Sequence, residues 1–375
     1  MVLAIALVPG APSARAEPVP IGRYVEIHVG VSHGHPYATS GGDARRTGRS
    51  RAHAPARAPK PVWQVTLPHT RLLPPAVLAD GTLIVGSAGG VYALDPRSGE
   101  QRWFAAIGVV RFTPSVTPDG DLIAFAGDKL WRLIQGGLAR ELTLPMRPNG
   151  SPLVLDSGTL IVPGPSGRVM ALSSDGSLLT TLSTLPQQAW LRFTSLVSGD
   201  AFLVGGPAPD VSLLSLRGEA ERVIHLSQGL QTSPLVSDDE TTFLLGERGT
   251  LFVVAPDGSV RVSLELGQGG GTDGPALGWD GALRVGLRYG EVACFAESGR
   301  EIWRRGVEGP PGPMLIDADD TLLFVGPRGV LYAIDRDGDL RYREQLDLRG
   351  AGRPVLGADG TIYVVSRAGQ VQAWR

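Results

Sequence analysis

Pro75-Ala76-Val77-Leu78-Ala79-Asp80-Gly81-Thr82-Leu83-Ile84-Val85, followed by Gly90-Val91-Tyr92-Ala93-Leu94-Asp95, is the stretch from which the rest of the chain can be read. Asp80-Gly81 separates two apolar runs and has the composition of a tight hairpin turn, where glycine tolerates positive φ. The pattern returns at anchors Pro75, Pro114, Pro152, Ser195, Pro234, Pro275, Pro313 and Pro354, spaced by 39, 38, 43, 39, 41, 38 and 41 residues. A period near 40 made only of strands points to one four-stranded blade per repeat.

Within the first unit, residues 76–79 read as a short inner strand, 82–85 and 91–95 as strands packed on both faces, and 100–107 as an outer strand carrying Trp103. The outer run mixes polar with apolar residues, as an exposed edge should. The eighth unit stops at Arg375 without an outer strand, while residues 62–67, upstream of the first anchor, resemble the outer strands around Trp103 and Trp303. The expectation is an all-β chain: an eight-bladed β-propeller of four-stranded antiparallel blades, closed by an N-terminal strand that completes the last blade. Such closure removes free sheet edges.

Composition agrees, since 51 Gly and 30 Pro suit a chain of many turns. The domain reading is a signal peptide at 1–16, an extended lead-in at 17–61 and the propeller at 62–375. Residues 2–8 form a short apolar run, and Ala14-Arg15-Ala16 before Glu17 has the small-x-small form of a cleavage site, so a periplasmic or secreted location is expected. That run is too short to span a bilayer. The lead-in carries Arg45, Arg46, Arg49, Arg51, Arg57 and Lys60 among Gly, Ala and Pro and reads as a solvated tether, with a possible strand at 24–31. Neither its charges, which lack interleaved aromatics, nor the net charge of −2 suggests nucleic acid. His33-Gly34-His35 lacks the Cys or carboxylate partners that a metal needs.

The run Gly89-Gly90-Val91-Tyr92-Ala93-Leu94-Asp95-Pro96-Arg97-Ser98-Gly99-Glu100-Gln101-Arg102-Trp103 resembles the PQQ-like repeat. That repeat occurs in quinoprotein dehydrogenases and in the non-enzymatic outer-membrane assembly propellers. Parts of it recur at Gly329-Val330-Leu331-Tyr332-Ala333-Ile334-Asp335 and at Ser298-Gly299-Arg300-Glu301-Ile302-Trp303, and Gly42-Asp43-Ala44-Arg45-Arg46-Thr47-Gly48 looks like the segment before the first blade in many members. The resemblance implies that an outer-strand aromatic docks on the next blade. Trp103, Trp303, Tyr342 and Trp63 hold that place, but Glu141, Thr180, Arg222 and Val262 hold it elsewhere. An enzyme of this family would need a quinone, a cation held by carboxylates and an amide, and an Asp base, often with a vicinal disulfide. The single cysteine, Cys294, aligns with Ala93 and reads as an inert core thiol. Asp119, Asp238, Asp239, Asp257, Asp280, Asp319, Asp320, Asp337 and Asp359 fall in hairpin turns, where turn chemistry accounts for them. Gly269-Gly270-Gly271 lies between strands and is no phosphate loop. No catalytic residue, cofactor or metal is expected.

One constellation exceeds packing. Arg71, Arg111, Arg147, Arg192 and Arg353 lie in connections that run from an outer strand to the next inner strand, on one face of the ring. Arg111-Phe112-Thr113-Pro114 and Arg192-Phe193-Thr194-Ser195 match at the same offset. Guanidinium groups at a channel mouth can hold carboxylate or phosphate by paired hydrogen bonds. The function expected is a monomeric, non-catalytic binding scaffold for a protein segment or envelope component, anionic in character. The alternative is a quinone-dependent dehydrogenase or small-anion sensor using the channel.

Overall fold

A computed structural model describes residues 35–375 apart from 135–136, 138, 185–189, 218–219, 268–273, 349 and 351. The expected signal peptide, the strand at 24–31, His33 and the triple glycine lie outside the described residues. Those described form thirty-two strands in eight four-stranded antiparallel sheets. Blade one runs outward as Ala76–Val77, Leu83–Gly86, Val91–Leu94 and Gln101–Ala105. Its two middle strands are buried throughout, because neighbouring blades cover both faces, whereas its outer strand is partly exposed. Turns between first and second strands, and between third and fourth, share one side of the disc. Connections between second and third strands, and from blade to blade, share the other. We call these the turn face and the loop face.

Closure is as the sequence indicated. Pro61–Thr66 pairs antiparallel with Gln370–Trp374 and supplies the outer strand of blade eight. Lys60 and Arg375 exchange two backbone hydrogen bonds of 2.7 and 2.8 Å at the joint. The outer-strand aromatics dock on the neighbouring blade. Trp63 donates from Nε1 to the Pro96 carbonyl at 2.9 Å, and Trp303 to that of Arg336 at 2.8 Å. The indole of Trp63 lies over Gly99, at φ 74°, where a Cβ would come within 2.6 Å of the ring. Each such aromatic stabilises its blade junction by about 2 kcal/mol of buried apolar surface.

One position needs correction. Seven outer strands carry a register shift against the third strand, and Ala139–Thr143 of blade two does not. Arg140, not Glu141, therefore lies opposite Arg132, which occupies the place held by Ala93 in blade one.

The lead-in is not a solvated tether. Residues 37–54 run inside the ring and offer their carbonyls to the inner strands in turn. Tyr37, Ala38, Ala44, Arg45, Thr47 and Gly48 accept from the N–H groups of Val77, Val116, Leu196, Val236, Leu277 and Ile316. These donors belong to the inner strands of blades one, two, four, five, six and seven, whose channel-facing edges would otherwise be unpaired. Arg45 and Arg49 are buried against backbone carbonyls and share Asp238 in ion pairs, so that turn residue reaches into the channel. Only Arg51, Arg57 and Lys60 of the basic run stay exposed.

Candidate functional site

The loop face brings three of the five expected arginines into one arc. Arg111, Arg147 and Arg192 sit on the successive connections leading into blades two, three and four. Arg111 donates from Nη1 to the Pro148 carbonyl at 3.0 Å and lies 5.3 Å from the Phe112 ring centroid. Partial burial lowers the pKa of its guanidinium, and the nearby charge of Arg147 lowers it further. Arg147 and Arg192 are exposed, and the Arg192 carbonyl packs against Gly150 of the preceding connection. Two positions away Trp190 is 57% exposed, a residue the sequence reading passed over. A tryptophan in a polar connection was the available signal.

Arg71 stands apart, exposed at φ 58°, its N–H bonded to the Arg367 carbonyl. Arg353 differs again. It is 8% exposed and donates from Nη1 to the Tyr37 hydroxyl at 3.0 Å. Among the described residues, none of the five arginines forms an ion pair, whereas Arg45, Arg102, Arg132, Arg284 and Arg304 do.

The turn face is acidic, and its aspartates are organised by their turns. Asp80, Asp239, Asp257, Asp280 and Asp359 each accept a backbone N–H from two residues ahead, at 2.9 to 3.1 Å. Asp317 accepts three N–H bonds, one of them from Ala54 of the channel segment. The remaining polar candidates also have structural partners. His35 Nδ1 accepts the Ala79 N–H at 2.9 Å, and His53 pairs with Asp319. Cys294 is 1% exposed in the third strand of blade six, and burial pushes its thiol up to about 12, which keeps it protonated and inert.

Residues 37–54 line the channel and pair with its inner strands, and the cavity of about 180 Å³ beside them is smaller than the roughly 300 Å³ of pockets that hold drug-sized ligands, so it offers little room for a fused-ring quinone. Among the described residues, no three His, Cys, Asp or Glu side chains gather to hold a cation. No described helix is long and apolar enough to cross a membrane.

Eight closed blades of this repeat define a PQQ-like β-propeller. The sequence profile described as outer membrane protein assembly factor BamB matches residues 51–206 and 288–374, and the chain belongs to that family. No curated protein matches the sequence. Among solved structures, BamB from Moraxella catarrhalis is similar with a TM-score of 0.67 and 18% identity, over 84% of this chain and 99% of that one. The quinohemoprotein alcohol dehydrogenase from Comamonas testosteroni has a TM-score of 0.73 and 13% identity, over 91% of this chain and 80% of its own. The computationally designed Ika8 protein has a TM-score of 0.68 and 14% identity, over 84% and 99%. At these identities the likeness concerns the fold. Residues 207–287, which the profile leaves out, include Arg222 and Val262, two of the outer-strand places without an aromatic.

Proposed function

We propose that this protein is a non-catalytic scaffold, exported to the cell envelope, that binds an acidic protein segment on its loop face. The observation that carries the reading is the arc of Arg111, Arg147 and Arg192 beside exposed Trp190, none of these arginines being paired with a carboxylate among the described residues. Arginine and tryptophan are the side chains most often found to dominate binding energy at protein interfaces. Charge on the disc is separated, since the aspartates crowd the opposite face, so a partner meets positive potential on one side although the net charge is −2. Membership of a family described by an assembly factor supports a protein partner, and the small cavity left in the channel weighs against the dehydrogenase alternative.

The test is a pull-down from envelope extract, followed by titration of the captured partner against two double variants. Arg111→Ala with Arg192→Ala should keep the fold, weaken affinity by about tenfold or more, and flatten its dependence on salt. Asp257→Ala with Asp337→Ala, on the turn face, should change affinity less than twofold. Unchanged affinity in the arginine pair removes the assignment.

A further inference from the structure

Arg353 and Arg46 are large buried cations, and among the described residues neither has a salt bridge. They are 8% and 5% exposed and line the same 180 Å³ cavity, which opens among the connections Gln231-Thr232-Ser233 and Gly274-Pro275 on the loop face. Arg46 is held by backbone oxygens, donating from Nε to Thr194 at 3.1 Å, from Nη2 to Pro152 at 2.7 Å and from Nη1 to Ser40. Asp43, the nearest acid, is committed through both oxygens to Thr47. Of the five N–H groups a guanidinium carries, Arg353 uses one on a described residue, Tyr37. Burial of a cation is costly. It lowers the pKa of Arg46 to about 10, with Asp43 and Tyr37 offsetting part of the shift and the like charge of Arg353 contributing to it.

The surroundings are shaped around these two groups. Arg46 holds the left-handed conformation at φ 60°, a strained one for a residue with a side chain. A Cβ on Gly274 would come within 2.3 Å of Arg353 Nη2, so only glycine leaves the guanidinium its place. The rest of the wall is mixed, with apolar Phe193, Leu235 and Pro275 beside Ser40, Gln231, Thr232 and Ser233.

We infer that this cavity is a receptor for one carboxylate, gripped by the free edge of the Arg353 guanidinium with Arg46 behind it. A planar guanidinium matches a carboxylate by two parallel hydrogen bonds. Because the Arg46 donors are largely spent on the protein's own oxygens, a single guanidinium edge beside Phe193, Leu235 and Pro275 suits the one charge and short carbon stem of an organic acid or acidic side chain better than a phosphate dianion. The site deepens the loop-face reading, because an acidic segment lying on the arginine arc could place one carboxylate here.

The experiment uses small probes, so that its failure and that of the partner reading can be told apart. The full chain is titrated calorimetrically at constant ionic strength, held with sodium chloride. The probes are succinate, N-acetyl-dialanine with a free carboxyl terminus, N-acetyl-glutamate-amide and inorganic phosphate. Saturable binding of at least one carboxylate probe at a single site is expected. Arg353→Gln should weaken it about tenfold or more, and Arg300→Gln, on the turn face, should leave it within twofold. The preferred probe identifies the source: a free diacid, a chain terminus or a side chain. If Arg353→Gln does not fold, Arg353→Lys keeps the charge but loses the fork and should weaken binding severalfold. The inference fails if no carboxylate gives a saturable signal above chloride. It also fails if phosphate binds more tightly than every carboxylate, or if the folded Arg353 variant binds as the parent does.

Discussion

Arg46 illustrates how far a single side chain can depart from what its neighbours in sequence suggest. In the run from Gly42 to Lys60 the charges read as solvated because almost nothing apolar accompanies them. The segment needs no apolar residues. Its contacts are carbonyls accepting the N–H groups of inner strands, and any residue type can make those. Nothing local in the sequence distinguishes Arg46, donating to the carbonyls of Pro152 and Thr194, from exposed Arg57 a few residues on. Arg46→Met should cost about 3 kcal/mol, because it leaves several buried carbonyls without donors, whereas Arg57→Met should stay within about 0.5 kcal/mol. Urea midpoints with unchanged slopes would show the difference, and equal midpoints would mean that the Arg46 bonds contribute nothing net. For the candidate site, Arg353 was legible as a loop arginine, but its burial was not. That depends on Tyr37, which lies 316 residues away along the chain.

Among the elements, the strands and their order were legible because turn residues punctuate them and their apolar runs repeat. Ring closure was legible for the same reason. Less visible was the register of the outer strand. The shift present in seven blades and missing from blade two arises from pairing, and Arg140 and Glu141 offer no compositional clue to it. The channel segment is an element without secondary structure of its own, so periodicity cannot find it. From sequence, removing residues 1–55 should be harmless and removing 1–67 damaging. With residues 37–54 paired to six inner strands, both truncations should be damaging. We expect the 1–55 deletion to lower stability by several kcal/mol, about 1 kcal/mol per hydrogen bond lost, and the 1–67 deletion to lower it further by opening blade eight. Thermal melts of both against the full chain decide this. A 1–55 deletion that melts with the full chain would show the segment to be dispensable.

Taken whole, the disc should be acid-sensitive. Several turn-face carboxylates are held below their ordinary range: Asp95 by a hydrogen bond from Arg102, Asp257 by Ser259, and Asp175, down to about 2, by Ser173. Each favours the folded state above the unfolded carboxylate pKa, near 4, and that contribution is lost as pH falls through the folded value. Burial acts in the opposite direction on Asp317 and Asp320, raising both, so their contribution is present at low pH and lost as pH rises through their folded values. The depressed groups are the more numerous, so the melting temperature should be steady from pH 7 to 5 and fall between about pH 4 and 2. Scanning calorimetry across that range tests it, and a melting temperature that rises on acidification would reverse the assignment. The clasp at Lys60 and Arg375 also bears on how the molecule is made. On the ribosome, residues 37–66 emerge before the blades they pair with, and their partners extend to the last strand. That segment is therefore fully satisfied only when the last blade has been made. A topology whose contacts are this remote in sequence pays its loop-closure entropy before it gains them, and folding is correspondingly slow.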